Sequence, residues 1–362
     1  MNLNFDPLKS ESRLLLEAEL RPVQGTRLQP TGFPDLGAAT YTLPNGKEML
    51  LVESAQSVAN RLEVVCWDSG RNCLSATLQG LPYVHIDIGQ YGTTNTLLEF
   101  HRLNSPYIWE SKEADSIKFQ EEFLKDLGLS QKRKKKGAKK GSDEEEGEGK
   151  DVPGVMKMDK FYKALFKYDP NSLIHGVFLE KVAGRLRVPR LLSGFIEAQN
   201  IRAATSGGVK FDRIFPEKDT ECGITSKEGF TNVPFPRDEY TAEKITAYFN
   251  LDLSQLRGYG LGEPAGNLLI ALALFKIQKF LAVGLRLRTA CDLEVTDGIS
   301  VKRPTGFIVP GLDALEKAMP NLIEAAGGLF AKERITRVNF VPRKVKNEKS
   351  KAKDAQSSTP EE

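Results

Sequence analysis

Six cations recur along one short stretch of the chain: Arg185, Arg187, Arg190, Arg202, Lys210 and Arg213 punctuate residues 181–213, a segment otherwise built of strand-forming residues. Cations spaced along a strand and its flanking loops can follow the phosphates of a single-stranded nucleic acid, because each phosphate they neutralise releases condensed counterions. The plainer reading of the same spacing is a row of solvated arginines on the outer face of a half-buried sheet. What separates the two is the order of elements on either side.

Other residue types with chemical potential argue against themselves. His85, His101 and His175 would suit a ribonuclease working by general acid-base catalysis, but they fall in separate elements with no serine or cysteine pattern to supply a nucleophile. Gly258, Gly260 and Gly262 precede a helix as a phosphate-cradling turn would. Their spacing is G-x-G-x-G, and Glu263 sets a negative charge where an anion would bind, so a tight strand-to-helix connection is expected. The four cysteines, Cys66, Cys73, Cys222 and Cys291, form no Cys-x-x-Cys pair and no disulfide framework. No catalytic residue, metal or cofactor is expected, and Cys66 and Cys291 read as small core residues.

The 362 residues, 40% of them apolar, suffice for a substantial core. No window approaches the roughly 20 apolar residues of a membrane span, and the N-terminus lacks a basic-then-apolar leader, which leads us to expect a cytoplasmic protein with no membrane partner. The net charge of +3 is unevenly placed: residues 128–151 and the tail 342–362 each carry +2, leaving −1 for the rest. Nucleic-acid binding by the folded part must therefore come from local patches. The basic-then-acidic run at 131–150 has no large apolar residue and reads as a disordered insertion, as does the tail.

Between these runs lie the elements that must position the cations. Leu14, Leu16, Ala18 and Leu20 alternate with polar residues, as do Val84, Ile86 and Ile88, then Ile245 to Leu253, then Leu285 to Leu293: four one-sided strands. Helical spacing over 53–67 buries Val58, Ala59, Leu62 and Cys66. Residues 264–283 are apolar nearly all round, with Pro264 opening the helix and Gly284 closing it, as a buried crossover helix requires. Strand, helix, strand, a long middle, then strand, helix, strand is a split β-α-β order. It predicts an α+β fold with a ferredoxin-like or RRM-like sheet, helices on one face and the other open.

Several longer segments carry a family resemblance: RLQPTGFPDLGAATY at 27–41, VESAQSVANRLE at 52–63, LNSPYI at 103–108, KFYKALFKYDPNSLIHGVFLEK at 160–181, SGFIEAQNIR at 193–202 and ITAYFNLDLSQLRGYGLG at 245–262. Together they resemble the Cascade backbone subunit of type I-G (formerly I-U) CRISPR systems, a member of the RAMP superfamily. The resemblance covers most of 13–294 outside the charged insertion. It implies a hand-shaped subunit with an RRM-like palm, inserted fingers and a thumb hairpin, whose copies polymerise along a guide RNA. Base pairing then reads the target while the protein grips the backbone.

By that analogy Arg27, Gln56, Asn60 and Arg61 border the guide, Asn60 and Arg61 sharing the polar side of a packed helix. Arg187, Arg190 and Arg202 line the palm or its edge, and Lys163 and Lys167, four apart on one helical face, add phosphate contacts. The poorly periodic 206–240 stretch is the thumb candidate, with Lys210, Arg213 and Arg237. The implied organisation is 1–127 for the first part of the palm and start of the fingers, 128–154 for the charged insertion, 155–310 for the remaining fingers, palm and thumb, 311–341 for a C-terminal helix and strand, and 342–362 for the tail.

The implied partners are crRNA, target DNA by way of the guide, other copies of the chain, other Cascade subunits and a recruited nuclease-helicase. Two rivals stay open: a general single-stranded RNA binder, and a RAMP-type endoribonuclease. The latter includes metal-dependent RNA cleavage at Asp35, since type III backbone subunits carry an acidic residue on the equivalent loop.

Overall fold

A computed structural model of the chain describes residues 3–33, 36–129, 158–180, 182, 186–210 and 233–342. Strand β1 (Arg13–Pro22) alternates as its sequence requires, with Leu14, Leu16, Ala18 and Leu20 buried. A short edge hairpin follows, β2 (Thr40–Thr42) and β3 (Glu48–Glu53). Helix α1 (Ala55–Val64) begins at Ser54, whose hydroxyl accepts the Ser57 N–H at 3.3 Å. Glu53 thus stays in the strand, and the helix is shorter than the 53–67 periodicity suggests.

The chain then builds β4 (Tyr83–Asp87), β5 (Thr93–Asn95), α2 (Ala114–Asp126), α3 (Met158–Tyr168) and α4 (Pro170–His175). A small hairpin of β6 (Val177–Leu179) and β7 (Leu186–Val188) leads into β8 (Leu192–Gln199). After it come β9 (Arg202–Lys210), β10 (Val233–Thr241), β11 (Lys244–Asp252), α5 (Glu263–Val283), β12 (Arg286–Arg288), β13 (Cys291–Arg303), α6 (Leu312–Ala325) and β14 (Ile335–Asn339).

Seven strands form the main sheet in the order β12-β13-β1-β11-β8-β3-β2, each neighbouring pair antiparallel. Among its four central strands, α1 lies on the path from β1 to β8 and α5 on the path from β11 to β13. The architecture is α+β. Ile245, Ala247, Phe249 and Leu251 of β11 are buried, and Phe249 meets Phe280 of α5 edge-on at 6.4 Å between ring centres. Gly194 of β8 makes room for that ring: a Cβ there would stand 2.7 Å from Phe249 Cδ1.

Two sequence expectations are corrected. The alternating segment 84–88 is no part of the main sheet. It forms β4, the middle strand of a three-stranded sheet β14-β4-β5, where β14 runs parallel to it. Period-two alternation shows that one face is buried, but not which partner buries it. The second concerns α5, which does reach the length and composition of a membrane span, with a mean hydropathy of 1.6 over its most apolar window. That window is 67% buried inside the protein, as expected of a core crossover helix packed between the sheet and α6.

Candidate nucleic-acid interface

The β9–β10 ribbon pairs nine residues on each side, from Arg202 opposite Thr241 to Lys210 opposite Val233. Pro234 and Pro236 alternate along β10, so both positions without an N–H face the ribbon's free edge, where no ladder bond is lost. Part of the 206–240 stretch is thus regular ribbon rather than loop. The Lys210 side chain, Arg213, Arg185, Asp35 and the charged insertion at 131–150 lie outside the described residues.

At the root of the ribbon, Leu28 and Tyr240 exchange N–H···O=C bonds of 2.8 Å, tying the loop after β1 to β10. This brings Arg27 to Glu239, with Nη1 2.8 Å from Oε2, and Arg237 reaches the same carboxylate at 3.7 Å. Two guanidiniums share one acid there. Arg202 stands exposed on the same ribbon face, without an ion pair among the described residues. Arg27, Arg202 and Arg237 therefore make a positive patch fixed by strand pairing, which separate segments of sequence could not announce.

Other expected contacts are engaged inside the protein. On α1, Gln56 is exposed and Asn60 half-buried, but Arg61 is an internal strut. Its Nε meets Glu53 Oε1 at 2.8 Å and its Nη2 donates to the Leu287 carbonyl at 2.7 Å. Glu53 is buried at the end of β3 and also takes the Arg288 guanidinium and the Ser57 hydroxyl. A buried carboxylate demands such partners, which corrects the expectation of a free Arg61. Lys167 likewise holds Asp126 of α2 at 2.7 Å, an acid that also accepts from Tyr168 Oη at 2.9 Å. Lys163 stays exposed beside Asp159, 3.5 Å away one helical turn back.

The open face of the sheet stacks Phe195 on Tyr248 at 5.0 Å. Around them Glu17 pairs with Lys302, Glu19 with Lys244, and Glu197 accepts from Tyr41 Oη at 2.7 Å. Three glutamates make this face a poor place for phosphates.

Arg187 and Arg190 sit at a different place, an open pocket of about 470 Å³ that they share with Phe100, His101, Arg102 and His175. Neither has a carboxylate within ion-pair distance among the described residues. Behind the pocket runs a buried polar network joining α1, α4 and α5. Arg102 Nε and Nη2 each donate to Glu63 at 2.6 Å, and Nη1 donates to Gly176 O at 3.3 Å. Lys276, wholly buried in α5, donates to Asn171 Oδ1 and to His175 Nε2, the latter at 2.7 Å.

Burial drives the titration of this network. It raises Glu63 to about 7 against the pull of Arg102, raises Asp169 to about 6, lowers Lys276 and holds His175 well below its usual value. His175 is therefore neutral. With Nε2 accepting from the lysine, its proton is on Nδ1, which has no hydrogen-bond partner among the described residues. Cys66, buried nearby, is pushed up to about 11 and stays an inert thiol. Among the described residues no three His, Cys, Asp or Glu side chains converge as a metal site.

The glycine-rich connection before α5 contains the six-residue helix Leu253–Gly258, and Glu263 at the start of α5 pairs with Lys9 at 2.9 Å. A carboxylate in the first turn sets negative charge at this helix start, which disfavours an anion there.

The family model for CRISPR-associated protein GSU0053 matches residues 14–203, more than half of the chain. The chain belongs to this family. The matched span of this GSU0053-family protein runs from β1 through α1 and the pocket to the start of the ribbon, and it bears out the CRISPR assignment carried by the sequence motifs. No match was found among curated proteins. Of the solved structures it is similar to, a chain of a CRISPR RNA-guided surveillance complex in a pre-nicking state is 14% identical with a TM-score of 0.43, covering 86% of this chain and 88% of that one. Csc2 from Thermofilum pendens is 12% identical with a TM-score of 0.29, covering 89% and 79%.

Sequence reasoning overlooked Phe100, Arg102 and Phe178 as pocket residues. The pocket draws on three separate segments, so no local spacing marks it. The one available signal was Lys276 in an otherwise apolar helix, because a lysine in that setting requires polar company from elsewhere.

Proposed function

We propose that this protein is a non-catalytic backbone subunit of a type I CRISPR interference complex (Cascade), polymerising along crRNA and supporting its pairing with target DNA. The observation that carries this reading is membership of a CRISPR-associated family, matched over the span that supplies four of the main sheet's seven strands and leads into a ribbon with a basic root. The order of the four central strands supports a ferredoxin-like palm, and the β9–β10 ribbon supports a thumb. Arg27, Arg202 and Arg237 would hold the guide's phosphates at the ribbon root. DNA cutting would fall to a separately recruited nuclease-helicase.

The test is co-expression with a CRISPR array, followed by size-exclusion chromatography with light scattering and nucleic-acid absorbance. A particle of several protomers on guide-length RNA that stays uncut in magnesium is the expected result. An RNA-free monomer would refute the reading. RNA trimmed by wild type but not by Asp35→Asn would replace it with a nuclease.

A further inference from the structure

We propose that the pocket bounded by residues 100–104, 175–178 and 187–193 holds one nucleotide of a single-stranded RNA, its phosphate between Arg187 and Arg190 and its base against Phe100 and Phe178. The inference deepens the guide-binding reading and rests on it. The ribbon root and this pocket draw on different segments, so the two can be tested apart.

Four observations converge. The first is uncompensated charge. Glu63 takes both of its hydrogen bonds from Arg102, and the arginines at 187 and 190 have no acid within ion-pair distance among the described residues. Arg190 is half-buried beside Arg102; burial first and that like charge second disfavour its cation, and the more distant Glu63 only partly offsets them. An anion entering the pocket relieves both penalties at once.

The second is the orphaned donor: His175 is 1% exposed, lines the pocket, and its Nδ1 has no partner among the described residues. An unpaired N–H is costly in a buried place, and a phosphate or base oxygen would relieve that cost once the pocket yields enough to reach this covered atom. The third is aromatic exposure. Phe100 and Phe178 are 65% and 44% exposed at the same pocket. Such rings beside arginines suit the π-face of a base, which an acidic peptide would leave uncovered.

The fourth is rigidity. Gly176 adopts φ +78°, and a Cβ on it would stand 2.8 Å from the Val188 carbonyl, so only glycine lets the two sides of the β6–β7 hairpin close at the pocket floor. The Arg102 bond to Gly176 O fixes that floor to the buried network. The volume falls within the roughly 300–1,000 Å³ of small-ligand sites.

Full-length wild type and two double variants, Arg187→Gln/Arg190→Gln and Phe100→Ala/Phe178→Ala, are titrated against a fluorescein-labelled single-stranded RNA of about 30 nucleotides between about 50 and 200 mM salt. The arginine variant is expected to bind about tenfold more weakly and to flatten the slope of log K against log salt by about 0.7, the value for one phosphate on a single strand. The phenylalanine variant is expected to bind about tenfold more weakly with the slope unchanged. All four side chains are exposed or half-buried, so melting temperatures within about 2 °C of wild type verify folding.

Wild-type binding with both variants unaffected overturns the pocket and leaves the guide-binding reading standing. Failure of wild type to bind overturns both. Intact RNA affinity with lost particle mass in the arginine variant assigns the pocket to a protein partner, which also overturns the proposal.

Discussion

Arg102 joins the buried network to the pocket floor, and replacing it tests whether that network is an interacting unit. Its two 2.6 Å bonds to Glu63 connect side chains that are 9% and 3% exposed. Arg102→Met keeps an apolar stem of similar length but leaves Glu63 without a contacting cation. Removing one partner of a buried pair costs about 3–5 kcal/mol. The carboxyl has one escape, protonation, because burial already raises it to about 7 while Arg102 pulls it down. In the variant that pull is gone, and the folded-state pKa rises further above the roughly 4.3 of an unfolded glutamate.

A raised folded-state pKa contributes stability that is present in acid and lost as pH rises through it. Below about pH 7 both proteins fold with Glu63 largely protonated, and the gap between them reflects the lost hydrogen bonds. Above it, wild type has completed its loss while the variant continues to lose about 1.4 kcal/mol per pH unit. The gap at about pH 8.5 should therefore exceed that at about pH 6 by about 2 kcal/mol.

Urea unfolding followed by tryptophan fluorescence, with Glu63→Gln and the double variant completing the cycle, measures this. In the Glu63→Gln background Arg102→Met should cost about 1 kcal/mol at either pH, since no buried charge is stranded. Equal costs in both backgrounds and at both pH values would refute the coupling between these two residues.

Two further outcomes follow from the same geometry. His175 is buried neutral facing Lys276, Arg102 and Arg190, so below about pH 6.5 the unfolded chain takes up a proton that the folded chain refuses. The stability advantage of wild type over His175→Gln should then shrink by about 1.4 kcal/mol per pH unit on acidification, and a constant gap from about pH 7.5 to 5 in thermal or urea melts would contradict a neutral buried ring. Arg61→Ala should lower stability by about 1–2 kcal/mol, with Arg288 still holding Glu53, and leave RNA affinity per folded protomer unchanged. Weakened RNA binding at an unaltered melting temperature would return Arg61 to the interface.

Much of the fold was legible because burial has a period. The alternation in β1 and β11 and the apolar run of α5 each announced a face and an element type. The candidate cations were legible as residue types on particular elements, but their fates were not. Arg187, Arg190 and Arg202 stayed unpaired among the described residues, while Arg61 and Lys167 were drawn to acids on other elements, Glu53 and Asp126. Electrostatic partners are chosen across space, and helical spacing reports only which side of its own helix a residue occupies.

By itself, then, the sequence determined the α+β order, the buried crossover helix and, through long motifs, the CRISPR family. Only the tertiary structure decided that β4 pairs with β14 instead of joining the main sheet, that Arg27 and Arg237 converge on Glu239, and that Phe100, His175, Phe178 and Arg190 share one pocket. The division has a physical cause. Local pattern reports how a segment divides its own residues between core and solvent, whereas a binding site is made by segments that meet because each buries its apolar face against the same core.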